Sequence, residues 1–160
     1  MVSQASRLNR LPAAERGITI GDFLVPIPIG LWIFSLVCDL FHAGGSANAA
    51  WPTVALYTMG GGIIGALLAA VPGLVDLLSL PAGPRKTALA HMAINLVVVA
   101  LYAVNFWLRV NSPEKAGSLM WLSLLAIGLL VISGWLGGKM VYEYGIAVDA
   151  APDTTPPAKR

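Results

Sequence analysis

The stretch LAHMAINLVVVALYAVNFWL, Leu89–Leu108, decides how the rest of the chain must be read. It contains no Asp, Glu, Lys or Arg, and its length matches the ~20 apolar residues that carry a helix across a bilayer core. Three further runs share this character, about 23–41, 54–80 and 119–141. The expectation is an all-α protein, a four-transmembrane-helix bundle. Composition agrees: 57% of the 160 residues are hydrophobic and 11% charged, whereas soluble domains carry about 25% charged residues. The mean hydropathy of +0.75 asks for lipid as the solvent.

Turn-forming residues separate the runs: Ala43-Gly44-Gly45-Ser46, Pro81-Ala82-Gly83-Pro84 and Asn111-Ser112-Pro113. Helices are expected to stop at such breakers. Within the second run, Val71-Pro72-Gly73 predicts a bend, because an interior proline removes a helix hydrogen bond. The membrane domain is placed at 18–148. Residues 1–17 read as a flexible cytoplasmic N-terminal tail, and 149–160, with Pro152, Pro156 and Pro157, as a disordered C-terminal tail. The first apolar run continues too far for a cleaved secretory signal, so the first helix is expected to be retained.

Four spans put both termini and the middle loop on one side. That side collects Arg7, Arg10, Arg16, Arg85, Lys86, Lys139, Lys159 and Arg160, against Arg109 and Lys115 opposite. The positive-inside rule then predicts a multi-pass orientation with both termini in the cytoplasm. Trp51, Trp107 and Trp121 near the outer ends, and Tyr142 and Tyr144 near the inner end, match interfacial aromatic belts. Trp32 and Trp135 lie deeper and are expected between helices.

Helices in lipid gain little from hiding apolar surface and associate through close packing of small residues. Gly61, Gly65, Ala69 and Gly73 on the second helix, and Gly134 and Gly138 on the fourth, are spaced for that role. The third helix carries polar groups instead. His91, Asn95, Tyr102, Asn105 and Arg109 fall within about 40° of one line at ~100° per residue, a line that should face the bundle interior. Asp39 shares the outer level with Arg109 and predicts an outer-side pair. Asp76 shares the inner level with His91, predicting an inner cluster with Asn95, Asp22 and Tyr142.

Several motifs resemble a bacterial four-helix integral-membrane family of unknown function. They are Val25-Pro26-Ile27-Pro28-Ile29-Gly30-Leu31-Trp32 with Phe34-Ser35-Leu36 and Asp39, then Pro72-Gly73-Leu74-Val75-Asp76, His91 and Asn95. Gly134-Trp135-Leu136-Gly137-Gly138-Lys139 with Val141-Tyr142 completes the set, so the resemblance spans roughly 23–148. Some members of that family are joined to Rieske-type iron–sulfur domains, which implies an association with electron transfer. This chain lacks the Cys/His pairs such a cluster needs. It also has Gly21-Asp22-Phe23 where relatives often show a His-Pro pair.

The sequence names no cofactor or metal. Its two histidines, His42 and His91, sit near opposite ends of a ~30 Å core, so one chain cannot offer a bis-His haem. A haem between His91 and Met140, or a quinone beside Asp76 and His91, stays open. Cys38 is the single cysteine and reads as a small buried hydrophobe. The basic residues form no stripe and no nucleic-acid module, so no nucleic acid is expected as a partner. Ser35, Ser79 and Ser133 lack a Gly-x-Ser-x-Gly setting, and no phosphate loop is present.

Taken with the resemblance, these readings make the chain an accessory or anchoring subunit of a complex in a bacterial cytoplasmic (inner) membrane, associated with electron transfer, its partners the lipid bilayer and other membrane-protein subunits. A small redox or proton-handling protein using Asp76 and His91 is the alternative. An oligomeric channel or transporter is the second alternative.

Overall fold

The computed structural model describes residues 23–146. The tails read at 1–17 and 149–160, and Asp22, lie outside the described residues. Four helices follow one another: α1 (Pro26–Ala43), α2 (Ala50–Ser79), α3 (Ala82–Asn111) and α4 (Ala116–Tyr144), the last preceded by a short 3-10 turn at Pro113–Lys115. All four are long and apolar enough to cross a membrane. At ~1.5 Å per residue α2 and α3 are about 45 Å long, more than a ~30 Å core. Their ends therefore reach the headgroups or the helices tilt.

Proline chemistry explains why the helices start earlier than the breakers suggest. Pro52 and Pro84 fall in the first turns of α2 and α3, where a missing N–H costs nothing because those donors have no intrahelical acceptor. The Pro81–Pro84 segment is thus a helix start rather than a loop, and only Leu80 and Pro81 separate α2 from α3. Pro72 is accommodated inside α2, which runs through it as a single helix. α4 ends at Gly145, whose left-handed φ of 62° lets the Gly145 and Ile146 N–H groups cap the last carbonyls of Val141 and Met140.

α1 packs mainly on α2 and α3 on α4, while α2 with α3 and α1 with α4 close the ring. α1 and α3 therefore face each other across the diagonal and run in the same direction. The interior positions advance by alternating steps of four and three. They are Pro28, Trp32, Ser35 and Asp39 on α1, and Ala55, Met59 and Gly62 on α2. On α3 the line runs Pro84, Ala88, His91, Asn95, Val98, Tyr102, Asn105 and Arg109, and on α4 Ser123, Ala126, Leu130, Ser133, Gly137 and Met140. A seven-residue period is shorter than two turns of a straight helix, and the mismatch is absorbed by left-handed supercoiling. The core at mid-height is Trp32, Met59, Val98, Tyr102 and Ala126. Large apolar side chains such as Ile64, Val71, Leu78 and Val131 instead point outward, each more than 60% exposed. So large an apolar exterior fits lipid, not water.

Three consecutive glycines fit α2 to its neighbours. Successive residues on a helix point ~100° apart, and each glycine meets a different group. A Cβ on Gly60 would meet the Phe106 ring of α3 at 3.1 Å, and one on Gly61 would touch Leu31 of α1 at 3.4 Å. A Cβ on Gly62 would overlap the indole of Trp32. The absent side chain lets that indole lie against α2 and donate from Nε1 to the Met59 carbonyl at 3.2 Å. Ser35, one turn further along α1, donates to the Ala55 carbonyl at 2.8 Å. Gly65 likewise admits Pro28, whose ring lies 3.4 Å from where a Cβ would stand, and Ala69 is half-buried.

Other glycines depart from the packing role expected of them. Added Cβ atoms at Gly73, Gly134 and Gly138 would meet nothing within 4 Å. Gly134 stands off the interior line of α4, and it is Gly137 that abuts His91. Trp135 also points outward, 68% exposed, with the Lys139 ammonium 5.9 Å from its ring centre.

Gly62→Ala is expected to push Trp32 off its seat and to cost about 1–3 kcal/mol, the usual penalty of overpacking. Gly134→Ala should be neutral, or stabilising by the ~0.5–1 kcal/mol that separates Ala from Gly in a helix. Thermal unfolding in detergent, read by near-ultraviolet dichroism of the tryptophans, compares the two.

Candidate functional site

Polar side chains cannot be left facing hydrocarbon, so the polar line of α3 must find partners inside the bundle. It does so in two separate networks. At the end formed by the α1–α2 and α3–α4 connections, Arg109 and Asp39 meet through two parallel bonds, Nη1 to Oδ1 at 2.6 Å and Nη2 to Oδ2 at 2.7 Å. Both are nearly enclosed, at 4% and 7% exposure. A third guanidinium donor, Nε, donates to Asn105 Oδ1 at 2.9 Å, and Asn105 Nδ2 donates to Ser123 Oγ at 2.9 Å. One connected group thus ties α1, α3 and α4. Fork-to-fork geometry is the strongest form of a charged hydrogen bond.

The second network lies toward the end that holds the termini. His91 Nε2 accepts from Asn95 Nδ2 at 2.9 Å, and His91 Nδ1 sits 2.9 Å from the Ser133 carbonyl and 3.0 Å from its hydroxyl. All these contacts are satisfied by a neutral imidazole carrying its proton on Nδ1 and donating to Ser133. Gly137, one turn beyond Ser133, gives the ring room: a Cβ there would lie 3.5 Å from His91 Cε1.

Between the networks, the rings of Trp32 and Tyr102 stack across the diagonal, 4.3 Å apart and within 7° of parallel. Tyr102 is fully buried, and among the described residues its hydroxyl is the one buried side-chain nitrogen or oxygen with no hydrogen-bond partner in the protein. An unmet buried hydroxyl costs about 1–3 kcal/mol.

The inner cluster read from the sequence is partly rearranged. His91 and Asn95 are together, with Ser133 as their third member. Asp76 is half-buried near the end of α2. Tyr142 is 91% exposed, because it stands two residues, and so more than half a turn, beyond the interior position Met140. Ser123 and Ser133, both buried, are not marked by the sequence as makers of these bonds. Their place on the four-three spacing of α4 is the available signal.

A haem does not fit His91 here, since both ring nitrogens already hold protein partners and an axial ligand needs one of them. Met140 packs against the Leu77, Leu80 and Ala88 cluster. No group of three or more His, Cys, Asp or Glu that could hold a metal ion occurs among the described residues.

A closed ring of four long apolar helices, with an ion pair and hydrogen-bonded polar side chains inside, defines a polytopic helical membrane protein. The family described as "Predicted membrane protein (DUF2231)" matches residues 17–150, and the chain belongs to it. No curated protein and no solved structure matches the chain.

Removing one partner of the ion pair should be far worse than removing both. Asp39→Leu alone leaves the Arg109 guanidinium buried, which typically costs about 3–5 kcal/mol. The double variant Asp39→Leu/Arg109→Met should recover most of that loss. Denaturation in detergent across the four-member cycle measures the coupling, and equal, additive losses would contradict it.

Proposed function

We propose that this chain is an integral membrane accessory or anchoring subunit of a bacterial membrane complex concerned with electron transfer, lodged in the cytoplasmic membrane with both termini inside. One observation carries the non-catalytic part. The interior is filled at mid-height by Trp32, Tyr102, Met59, Val98 and Ala126, and the polar networks above and below bond chiefly to themselves. Among the described residues an interior so filled favours lateral association over passage of a solute. The tie to electron transfer rests on the family resemblance to proteins joined with iron–sulfur domains.

The proton-handling alternative centres on Asp76 and His91, with the latter's nitrogens engaged as described. Gln at position 91 can donate to the Ser133 carbonyl and accept from Asn95, so it keeps both bonds without titrating. Under the scaffold reading, His91→Gln leaves assembly and the activity of the complex unchanged. Intact assembly with lost activity would transfer the role to proton chemistry.

The broader test is mild-detergent extraction of the tagged full-length chain from its native membrane. The expected result is co-migration on native gels with redox-active subunits, identified by mass spectrometry and by haem or iron–sulfur absorption. Deletion of the chain should weaken that complex. A lone, colourless monomer with respiratory activity unaffected by deletion would overturn the proposal.

A further inference from the structure

The four helices are unequal in reach at the end that holds the termini. α1 starts at Pro26, six residues before Trp32, whereas α3 starts at Ala82, twenty residues before the Tyr102 ring that stacks on Trp32. At ~1.5 Å per residue, α3 therefore projects about 20 Å beyond the start of α1. α2 does the same, since Pro28 fits at Gly65 and α2 continues to Ser79. The side of α2 that packs on α1 thus runs on past it.

Gly73 marks that side. It follows Gly62 by eleven residues, close to three helical turns, so the two positions point the same way. Gly62 lies under the Trp32 indole, but Gly73 is exposed, and a Cβ there would meet no described atom within 4 Å. Two registers give the residue that would stand opposite if the chain kept to the axis of α1. Eleven residues back from Trp32, matching the antiparallel step from Gly62 to Gly73, is Gly21. Eleven residues back from Tyr102, in step with the parallel helix, is His91. Gly73, His91 and position 21 therefore share one level.

The chain arrives at that level along the right line. Phe23 and Leu24 are helical and Val25 has αR geometry, so the backbone enters α1 along its axis. The preceding Gly17-Ile18-Thr19-Ile20-Gly21 carries no charge, and the family match begins at Gly17. Hydrocarbon is the poorer occupant, because His91, Asn95 and Asp76 are half-buried at this end and polar groups turned toward lipid are costly.

We propose that residues 17–22 dock on α2 at Gly73, in line with α1, and complete the four-helix ring at the end that holds the termini. Gly73 then serves close packing as Gly62 does, with the N-terminal segment as its neighbour. The docking also brings Asp22 to the depth of His91.

The test uses the full-length chain in membrane vesicles, with Cys38→Ala as background and copper phenanthroline as oxidant. Gly21→Cys/Gly73→Cys should close a disulfide within one chain, which requires Cβ atoms about 3.5–4.5 Å apart. Gly21→Cys/Val75→Cys, with position 75 exposed and turned away from position 73, should keep both thiols. Maleimide labelling and gel mobility read the two results. Thiols retained at Gly21→Cys/Gly73→Cys as fully as in the Val75 pair would leave the face to lipid and overturn the proposal. A disulfide between two chains through Gly73→Cys alone would assign the face to a second copy and overturn it equally. Should the first pair lose the near-ultraviolet dichroism of the folded chain, Ile20→Cys/Gly73→Cys replaces it, with the same results decisive either way.

Discussion

The buried pair of Arg109 and Asp39 is the constraint on which the arrangement of the helices depends. A guanidinium on a helix inside a bilayer has five donors and no water to receive them. Two of them reach the carboxylate and a third reaches Asn105, which passes the requirement on to Ser123. The result is a neutral unit whose members sit on α1, α3 and α4. Sliding any of these helices by one residue would leave a charge or an amide unmet. The pair therefore fixes register, a service that nondirectional apolar contacts between helices cannot provide in lipid.

The second consequence appears seven residues away. Trp32 precedes Asp39 on α1 by the interval at which Tyr102 precedes Arg109 on α3. The two helices run in parallel across the diagonal, so a register that joins the charged pair also brings the two rings together. Diagonal helices in a bundle are too far apart for backbone contact, and only long side chains can span the gap. The width left by those side chains must then be recovered elsewhere, and α2 recovers it. Its Gly60, Gly61 and Gly62 present almost no side-chain bulk to Phe106, Leu31 and Trp32 in turn. Large residues on the diagonal and glycines on the flank are complementary parts of one packing solution.

Much of this is legible in the sequence because the bilayer restricts the choices. The four apolar runs require little more than length, and the inward line of α3 follows from the cost of exposing His91, Asn95, Asn105 and Arg109 to lipid. Depth alone puts Asp39 and Arg109 at one level, and the structure joins them. What escapes is whatever depends on angle rather than depth. Tyr142 shares the level of His91 yet points to the outside of α4, and Trp135 does the same. Spacing by four marks Gly73 and Gly134 as readily as Gly61, because a glycine row does not reveal which side has a neighbour. The helix starts at Pro52 and Pro84 stay hidden for another reason, since a proline in a first turn and a proline in a loop look alike before the preceding residues are placed.

The two polar networks differ in kind, and the difference gives the bundle a direction. The one around Arg109 is enclosed, charged and fully cross-linked between helices, which suits a permanent structural joint. The one around His91 is half-exposed, and the hydrogen bonds of His91 to Asn95 and Ser133 join α3 to α4. Disturbing the first breaks a desolvated ion pair, whereas disturbing the second costs neutral hydrogen bonds worth roughly 0.5–1.5 kcal/mol each. Rigid charge at one end and adaptable hydrogen bonding at the other divide the labour of the molecule. The ion pair thus joins α1 to α3 at one end, while the face that carries His91, Ser133 and Gly137 joins α3 to α4 at the other.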